Sequence, residues 1–310
     1  MATTFVVTLH ASGPLLRKRS VRFKVGPKQQ ERRLGHLLKL FSKKEEDTLR
    51  LVLKNPKSGK RIPMTATVDE DIRDVLVRCE IAAYVVLLEN DAKRCAHVHE
   101  EVLPRLIDFS ASTTAAVDGT NSEVLHSSLE KFNISLTPQY ARSCRVGQLG
   151  CACSHIALWS RIARETRELT LVLEDDVVLV ESFSQRLDDV LDDIDGTWDI
   201  LYLFHHPECQ PPDLVTRSRL VVNGFPTWGT VAYVLSRSGA QKLLHRLANT
   251  AHDKAIDLKI MDLVREREIT TFVAMPPLCA TAGLMNPTHS AHLTKLGTTV
   301  WDSPRLLDSF

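Results

Sequence analysis

Residues 169–180 have the sequence Leu-Thr-Leu-Val-Leu-Glu-Asp-Asp-Val-Val-Leu-Val, and this stretch decides the fold. An apolar run of this kind, without alternation of polar and apolar positions, is typical of a strand buried on both faces of an α/β sheet. Three consecutive carboxylates, Glu174, Asp175 and Asp176, interrupt the run. Because a buried, unpaired ion is costly to desolvate, we expect these acids to emerge at the carboxyl end of the strand, where α/β folds bind ligands.

The three carboxylates allow two interpretations. Alternation along a strand would point Glu174 and Asp176 to one side and Asp175 to the other. An acid-x-acid pair on one side suits a hard divalent cation that also holds a phosphate. The alternative is a strand end with three solvated acids, and the triplet alone does not choose between the two.

The composition is that of an ordinary globular protein, with 310 residues of which 44% are hydrophobic and 25% charged. This length is enough for one large domain or two unequal ones. The apolar runs are too short for a transmembrane segment, and the first residues lack the basic flank and apolar core of a signal peptide. These features predict a cytoplasmic protein without a transmembrane segment.

Seven cysteines are scattered along the chain, and their odd number favours reduced thiols over a disulfide framework. Cys144, Cys151, Cys153 and His155 lie close together in the sequence. Their Cys-x-Cys-x-His spacing within a helix-like segment is not the usual spacing of a zinc site, so a structural zinc is the less favoured interpretation.

The charges predict a domain boundary near residue 80. Residues 1–80 carry 18 Lys and Arg against 9 Asp and Glu, whereas the remainder carries 21 against 29. The first 80 residues resemble a small α+β, β-grasp-like module of the ubiquitin or PB1 kind, with predicted strands at 4–10, 20–25, 48–53 and 61–65 and helices at 29–44 and 68–79. Such modules usually bind proteins, and no aromatic residues interleave the basic ones in the way that favours nucleic acid.

The second predicted domain, 82–310, opens as a nucleotide-binding α/β domain does. Residues 82–88 predict another buried strand, followed by a polar loop and a helix over 97–106. No Gly-x-Gly-x-x-Gly follows the strand, so the dinucleotide fingerprint is absent. Arg94 lies where a guanidinium would meet a diphosphate, although an exposed arginine at a helix start is an equal alternative.

A helix is predicted over residues 147–159, because apolar residues recur there at 149, 152, 156 and 159. This spacing places Ser154 and His155 partway along the helix. A helical histidine beside an apolar stripe is more often a hydrogen-bonded structural residue than a catalyst, and both readings stay open on the sequence alone.

Together these segments resemble glycosyltransferase family 25, which includes bacterial lipooligosaccharide and collagen hydroxylysine galactosyltransferases. The resemblance covers residues from about 83 to about 292 and excludes the first 80. The matching segments are Ala116-Val117-Asp118-Gly119, Gly147-Gln148-Leu149-Gly150-Cys151 with Ser154-His155 and Trp159, Leu173-Glu174-Asp175-Asp176, Trp228-Gly229-Thr230 with Ala232-Tyr233, Ser236-Arg237-Ser238-Gly239-Ala240, Ala255-Ile256-Asp257 and Met275-Pro276-Pro277-Leu278.

One residue differs from the family pattern, which usually has Glu where this chain has Gln148. Glutamine keeps an acceptor oxygen and loses the charge. If that carboxylate acts in the chemistry, the change puts activity in doubt; if it only holds a loop through hydrogen bonds, glutamine serves.

The resemblance implies a GT-A-like, Rossmann-type mixed sheet with helices on both faces, a UDP-sugar donor, and Mn²⁺ or Mg²⁺. A divalent ion on the diphosphate stabilises the charge that the leaving UDP acquires. The implied metal ligands are Asp176, with Glu174 or Asp175 assisting, and His289 and His292 late in the chain. The implied donor-binding residues are Arg94, Asp118, Ser154, His155, Glu174, Asp175, Trp228, Gly229 and Tyr233. Trp228 and Tyr233 are expected to stack on uracil or sugar, although aromatic residues in an α/β domain are core by default.

The family inverts the anomeric carbon, so a general base must take the proton of the acceptor hydroxyl. Asp257 matches the family's aspartate, and the alternative is that it caps a helix over 258–265. The resemblance thus predicts a metal-dependent inverting transferase that moves galactose or glucose from a UDP-sugar to a glycan or protein acceptor. The other hypothesis is an inactive homologue that acts as a scaffold through residues 1–80. A phosphohydrolase would need further Asp and His residues to hold two metals, and the sequence offers none in a suitable cluster.

Overall fold

The computed structural model describes residues 81–194, 197–206, 209, 220–224, 226–281 and 303–306, together with the backbone of four earlier strands. These strands are β1 (Thr3–His10), β2 (Arg19–Val25), β3 (Leu49–Lys54) and β4 (Arg61–Ala66), which form an antiparallel sheet in the order β2-β1-β3-β4. The four strands predicted before residue 80 are therefore confirmed. The two helices predicted between and after them lie outside the described residues, and the β-grasp-like module stays a prediction.

Most of the described strands after residue 80 build one large mixed sheet. In chain order they are β5 (Ala82–Leu87), β6 (Ser110–Ala115), β7 (Ser135–Leu136), β8 (Leu169–Glu174), β9 (Val177–Leu179), β10 (Ile200–Tyr202), β11 (Val221–Asn223), β12 (Ala232–Ser236), β13 (Ala251–His252), β14 (Thr271–Ala274) and β15 (Cys279–Thr281). Seven of them form a sheet in the order β11-β14-β10-β12-β8-β5-β6, and two short pairs, β13-β7 and β15-β9, lie outside it.

The direction of the strands explains where a site can form. β5 runs parallel to both β6 and β8, and β10 runs parallel to β14, whereas β12 is antiparallel to β8 and β10. The carboxyl ends of β6, β5 and β8 therefore meet at one edge of the sheet, where α/β folds place their ligands. The apolar run that opened the analysis supplies β8, so its acids lie at this edge.

Helices cover both faces of the sheet. They are α1 (Ala92–His97), α2 (Ser122–Lys131), α3 (Pro138–Ser143), α4 (Val146–Ile162), α5 (Phe183–Asp192), α6 (Arg237–Leu247) and α7 (Ile256–Arg265). The helix predicted over 97–106 begins earlier, at α1, because the side chain of Asp91 caps α1 by accepting the backbone N–H groups of Lys93 and Arg94. Beyond His97 the predicted segment continues as a π-helical turn (Val98–Val102) and a 3-10 turn (Leu103–Leu106) rather than as an α-helix. Within the described part of the chain, no helix has both the length and the hydropathy that a bilayer span requires.

Strand β5 shows why its sequence has no polar alternation. Residues 83, 85 and 87 pack into one apolar cluster with α5, and residues 82, 84 and 86 pack into a second cluster with α4, α6 and α7. Both faces of the strand are buried, as a continuous apolar run predicts. The α/β class with helices on both faces is confirmed.

Candidate functional site

The three acids split into two groups, which differs from the alternation expected of a strand. Strand β8 ends at Glu174, and Asp175 and Asp176 form the turn that leads to β9. Because the turn interrupts the two-residue period, Glu174 contacts His155 of α4, whereas Asp175 and Asp176 both lie beside Arg94 of α1. The expected pairing of Glu174 with Asp176 on one side of a strand is therefore corrected.

Asp175 and Arg94 form a buried ion pair. One carboxylate oxygen of Asp175 accepts from Arg94 Nη1, and the other accepts from the backbone N–H of Leu88 at 2.9 Å. Burial raises the pKa of Asp175, and the positive charge of Arg94 offsets only part of that effect. The pair links α1 to the ends of β5 and β8. In this structure the guanidinium of Arg94 therefore already binds carboxylates of the protein itself.

Asp176 is buried without full pairing. Its side chain is 8% exposed, one oxygen lies 4.0 Å from Arg94 Nη2, and Oδ1 has no hydrogen-bond partner among the described residues. Burial, followed by the negative charge of Glu174, raises the pKa of Asp176 to about 7. A buried oxygen without a donor is unfavourable, and a divalent cation is a ligand that would satisfy it. Asp176 thus fits the metal-ligand role, whereas His289 and His292 lie outside the described residues.

Glu174 is held as a carboxylate by donors from two elements. Its Oε1 lies 3.1 Å from His155 Nε2 of α4 and accepts from Thr230 Oγ1 at 2.5 Å. Burial opposes ionisation of Glu174, but the hydrogen bond and charge of His155 and the hydrogen bond of Thr230 outweigh it and lower the pKa. Thr230 was not predicted; it directly follows Gly229 in the Trp-Gly-Thr segment, which was the available signal.

Tyr233 lies in the core rather than at a ligand surface. Its ring is 2% exposed, and its hydroxyl accepts from Trp159 Nε1 at 2.8 Å and bonds His155 Nδ1 at 2.8 Å. In this position the ring is not accessible for stacking on uracil or sugar, contrary to the expectation. Instead it orients His155, whose other ring nitrogen meets Glu174.

Ser154 and two glycines dock the Ala-Val-Asp-Gly segment onto α4. Ser154 Oγ donates to the carbonyl of Gly150 and accepts from the backbone N–H of Val117, both at 2.7 Å. A Cβ atom on Gly119 would lie 2.1 Å from the carbonyl oxygen of Val146, and one on Gly150 would lie 2.5 Å from that of Val117. Backbone therefore packs directly on backbone here, which only glycine permits.

Gly119→Ala is expected to destabilise the fold by about 1–3 kcal/mol or more, because its Cβ would overlap the carbonyl of Val146. Urea unfolding followed by far-ultraviolet circular dichroism measures this loss. The control is Ser122→Ala, an exposed position three residues on, which should change the free energy of unfolding by less than about 0.5 kcal/mol. Equal stability of the two variants would contradict the packing described.

Asp118 stabilises the same loop. Its carboxylate accepts from Asn90 Nδ2 at 2.6 Å, from the N–H of Thr120 at 2.8 Å and from Thr120 Oγ1 at 2.6 Å. Partial burial opposes ionisation, but these hydrogen bonds lower the pKa of Asp118. The residue is thus a fixed negative group at the end of β6.

The cleft lies at the carboxyl ends of β5, β6 and β8 and brings together six of the predicted donor-site residues: Arg94, Asp118, Ser154, His155, Glu174 and Asp175. Asn90, Thr120, Cys151 and Ser303 also line it and were not predicted. Cys151 precedes His155 by four residues, so helical spacing placed both on one face. Among the described residues, Asp176, Trp228, Gly229, Tyr233 and Asp257 are not part of the cleft lining.

Asp257 connects to the cleft through the loop before β12. Its Oδ2 accepts from the N–H of Gly229 at 3.1 Å, and Thr230, the next residue, bonds Glu174. Its Oδ1 accepts from the N–H of Leu258 in the first turn of α7. Gly229 has φ +90°, a conformation that favours glycine, and beside it Trp228 is 36% exposed and packs on His206, with ring centroids 5.1 Å apart.

Gln148 lies at the start of α4, outside the cleft lining. Its Oε1 accepts from the backbone N–H of Arg145 at 2.9 Å, which satisfies one of the free N–H groups at the helix start. A glutamate oxygen would accept the same bond. The geometry therefore accounts for Gln148 as a loop-holding residue.

Comparison with known proteins adds the family. The model described as "Glycosyltransferase family 25 (LPS biosynthesis protein)" matches residues 80–260, more than half of the chain. The matched range ends before the Pro-Pro segment at 276 and before His289.

Three relatives match over less than half of the chain. A "Glycosyltransferase 25 family member" of Aedes aegypti is 35% identical over 42% of this chain and 22% of its own length. The mouse "Inactive glycosyltransferase 25 family member 3" is 33% identical over 44% and 24%, and the mouse "Procollagen galactosyltransferase 2" is 32% identical over 44% and 23%. The aligned part of the chain thus spans about a quarter of the length of these relatives.

Proposed function

This chain belongs to glycosyltransferase family 25, and from that membership we propose that it is a metal-dependent inverting hexosyltransferase. Its donor would be a UDP-sugar carrying galactose or glucose, and its acceptor a hydroxyl group of a glycan or protein. The observation that carries the proposal is the buried Oδ1 of Asp176, which has no partner among the described residues. Asp176 directly follows Glu174 and Asp175, which line the cleft, and its other oxygen lies 4.0 Å from the cleft-lining Arg94.

A bound divalent cation would balance the negative charge that is buried at Asp176. Carboxylate oxygens suit Mn²⁺ and Mg²⁺, and a cation there would compensate the negative charges of Asp176 and Glu174 that Arg94 leaves unbalanced. When bound, such an ion supplies positive charge that stabilises a departing diphosphate.

The chain's own residues would position the two substrates. Asn90, Thr120 and Asp118 present hydrogen-bonding groups at the ends of β5 and β6, where the donor would lie. Trp228, which is 36% exposed, offers a flat apolar surface of the kind on which sugars stack.

Asp257 would take the proton of the acceptor hydroxyl. The N–H of Gly229 fixes the orientation of its Oδ2, and its helix fixes Oδ1, so the carboxylate is held in one direction. A base must be oriented in this way before it can act at hydrogen-bond distance. The hydrogen bonds to Gly229 and from Thr230 to Glu174 would hold this base at a fixed position relative to the cleft.

A panel of UDP-sugars tests the proposal. With Mn²⁺ present, a UDP-hexose at about 100 times its Kd should stabilise the fold by about 2.7 kcal/mol, seen as a higher melting temperature. The same sugar nucleotide should release UDP on incubation, and EDTA should abolish both effects. UDP alone and a GDP-sugar serve as controls for the nucleotide. The proposal would be contradicted if no UDP-sugar stabilised the protein and none released UDP.

The second candidate is an inactive scaffold, which the name of the mouse relative and Gln148 both motivate. Against the scaffold on this point is that the Gln148 side chain caps α4 and is not among the residues that line the cleft. In either case the basic residues 1–80 stay a predicted protein-binding module.

Gln148→Glu is therefore expected to leave the transfer rate within about twofold and stability within about 0.5 kcal/mol of the unchanged protein. Initial rates with the donor found in the panel and urea unfolding measure the two quantities. A wild-type protein without activity that gains it on Gln148→Glu would favour the scaffold instead.

A further inference from the structure

A second group of ligand-type side chains lies in the wall of the cleft and includes Glu174, two residues before Asp176. Cys151, His155 and Glu174 offer a sulfur, a nitrogen and an oxygen atom that lie within 4.8 Å of one another. No other described group of three His, Cys, Asp or Glu side chains meets this criterion. Cys151 and His155 are one helical turn apart on α4, and Glu174 reaches them from the end of β8.

Two of the three distances between the ligand atoms are close to those of a tetrahedral zinc site. Bonds of about 2.0 Å to oxygen and nitrogen and about 2.3 Å to sulfur place tetrahedral N and O ligands about 3.3 Å apart and S and O ligands about 3.5 Å apart. Here His155 Nε2 lies 3.1 Å and Cys151 Sγ 3.9 Å from Glu174 Oε1. Small side-chain adjustments would bring these three atoms around one ion.

The surroundings also suit such an ion. Tyr233 fixes the ring of His155 through Nδ1, and a hydrogen-bond partner on the second nitrogen is usual for a metal-bound histidine. The side chain of Glu174 is 25% exposed and all three residues line the cleft, which leaves an entry path and room for a water as fourth ligand. A thiolate, a neutral imidazole and a carboxylate would together neutralise a doubly charged cation.

From this geometry we propose that Cys151, His155 and Glu174 form a site for Zn²⁺. It differs from the site proposed at Asp176 in its sulfur and nitrogen ligands, and Glu174 neighbours both. Thiolate and imidazole ligands select zinc or cobalt over manganese and magnesium. On binding, the Cys151 thiol releases its proton to solvent and forms a sulfur–zinc bond, and His155 carries its proton on Nδ1 towards Tyr233.

Zinc at this site would inhibit the enzyme, a consequence that rests on the proposed function. Glu174 would exchange its bonds to His155 and Thr230 for the metal. Because Thr230 follows Gly229, which holds Asp257, the loop between the two carboxylates would lose one of its anchors.

Cobalt titration of the metal-free, reduced full chain tests the site without any sugar nucleotide. The unchanged protein should bind one equivalent of Co²⁺ with a sulfur-to-cobalt charge-transfer band, and Zn²⁺ should displace it. Cys151→Ser should lose the band and weaken zinc binding by more than about tenfold. The matched control is Cys95→Ser, which replaces a partly exposed thiol of α1 outside the cleft. This variant should keep the charge-transfer band and the zinc affinity of the unchanged protein.

A band that persists in Cys151→Ser, a band lost in Cys95→Ser, or a wild-type protein without a sulfur-to-cobalt band would overturn the proposal. Should Cys151→Ser fail to fold, Glu174→Gln serves as the second variant, with the band kept and zinc affinity lowered about tenfold; unchanged affinity would count against the site. Because no UDP-sugar is present, failure here leaves the transferase proposal standing, and an inactive transferase leaves this result unchanged.

Discussion

Asp257→Asn is expected to lower the kcat of sugar transfer by about 10²- to 10⁴-fold, the usual contribution of a general base. The amide keeps an oxygen that accepts from the N–H of Gly229, now 3.1 Å from Oδ2, but it cannot take the proton of the acceptor hydroxyl. Since donor binding does not use this carboxylate in the proposal, the KM for the UDP-sugar should stay within about twofold. Steady-state kinetics with donor and acceptor varied separately measures both parameters.

The control for this variant is Asp253→Asn. Asp253 is an exposed carboxylate shortly before α7 that pairs with Lys259 at 3.4 Å, and its loss should leave kcat within about twofold. The competing interpretation is that Asp257 only organises its helix and the loop at Gly229. In that case the isosteric amide would retain wild-type kcat while Asp257→Ala would lower stability. These two results together would show that Asp257 is not the general base.

The sequence predicted the sheet, and the reason is local. Val and Leu without alternation at 82–88 and 169–173 require burial on both faces, and only a covered α/β sheet provides it. The end of β8 followed from the cost of burying charge, which put Glu174 at the rim. The family's motifs then located the loops that converge on the same edge.

Pairings between distant residues could not be predicted. Arg94 and Asp175 are separated by 81 positions, and nothing in either segment specifies the other as its partner. The turn after Glu174 could not be inferred either, because apolar residues resume at Val177 and suggest that the strand continues. Tyr233 was predicted to stack on a ligand because the sequence does not show that its hydroxyl bonds Trp159 and His155 inside the core.

Asp176→Asn is expected to reduce metal-dependent transfer by about 10³-fold and, at the same time, to stabilise the metal-free protein. The first effect follows from the loss of a charged metal ligand beside the leaving diphosphate. The second follows from burial, because Asp176 has no hydrogen-bond partner at Oδ1 among the described residues and its pKa is raised to about 7. A neutral amide cannot ionise, so the loss of stability that comes from burying the ionised carboxylate disappears.

The sign of the pH dependence follows from the same shift. A pKa of about 7 in the folded state and about 4 in the unfolded state means that folding favours the protonated acid, so this contribution is complete below pH 4 and is lost as the pH rises through 7. In EDTA, the wild-type protein should lose up to about 2–3 kcal/mol relative to Asp176→Asn between pH 5 and pH 8. Urea unfolding at the two pH values measures this difference.

Asp189→Asn is the matched control, since Asp189 is an exposed carboxylate of α5 and should show neither effect. Mn²⁺ should stabilise the wild-type protein at pH 8 and leave Asp176→Asn unchanged, because only the carboxylate attracts the ion. A variant that is less stable than wild type at pH 8 in EDTA would show that Asp176 is satisfied by the fold itself. Its burial would then be structural, and the metal would have to bind elsewhere. The gain in stability together with the loss of activity is what distinguishes a residue kept for a ligand from one kept for the fold.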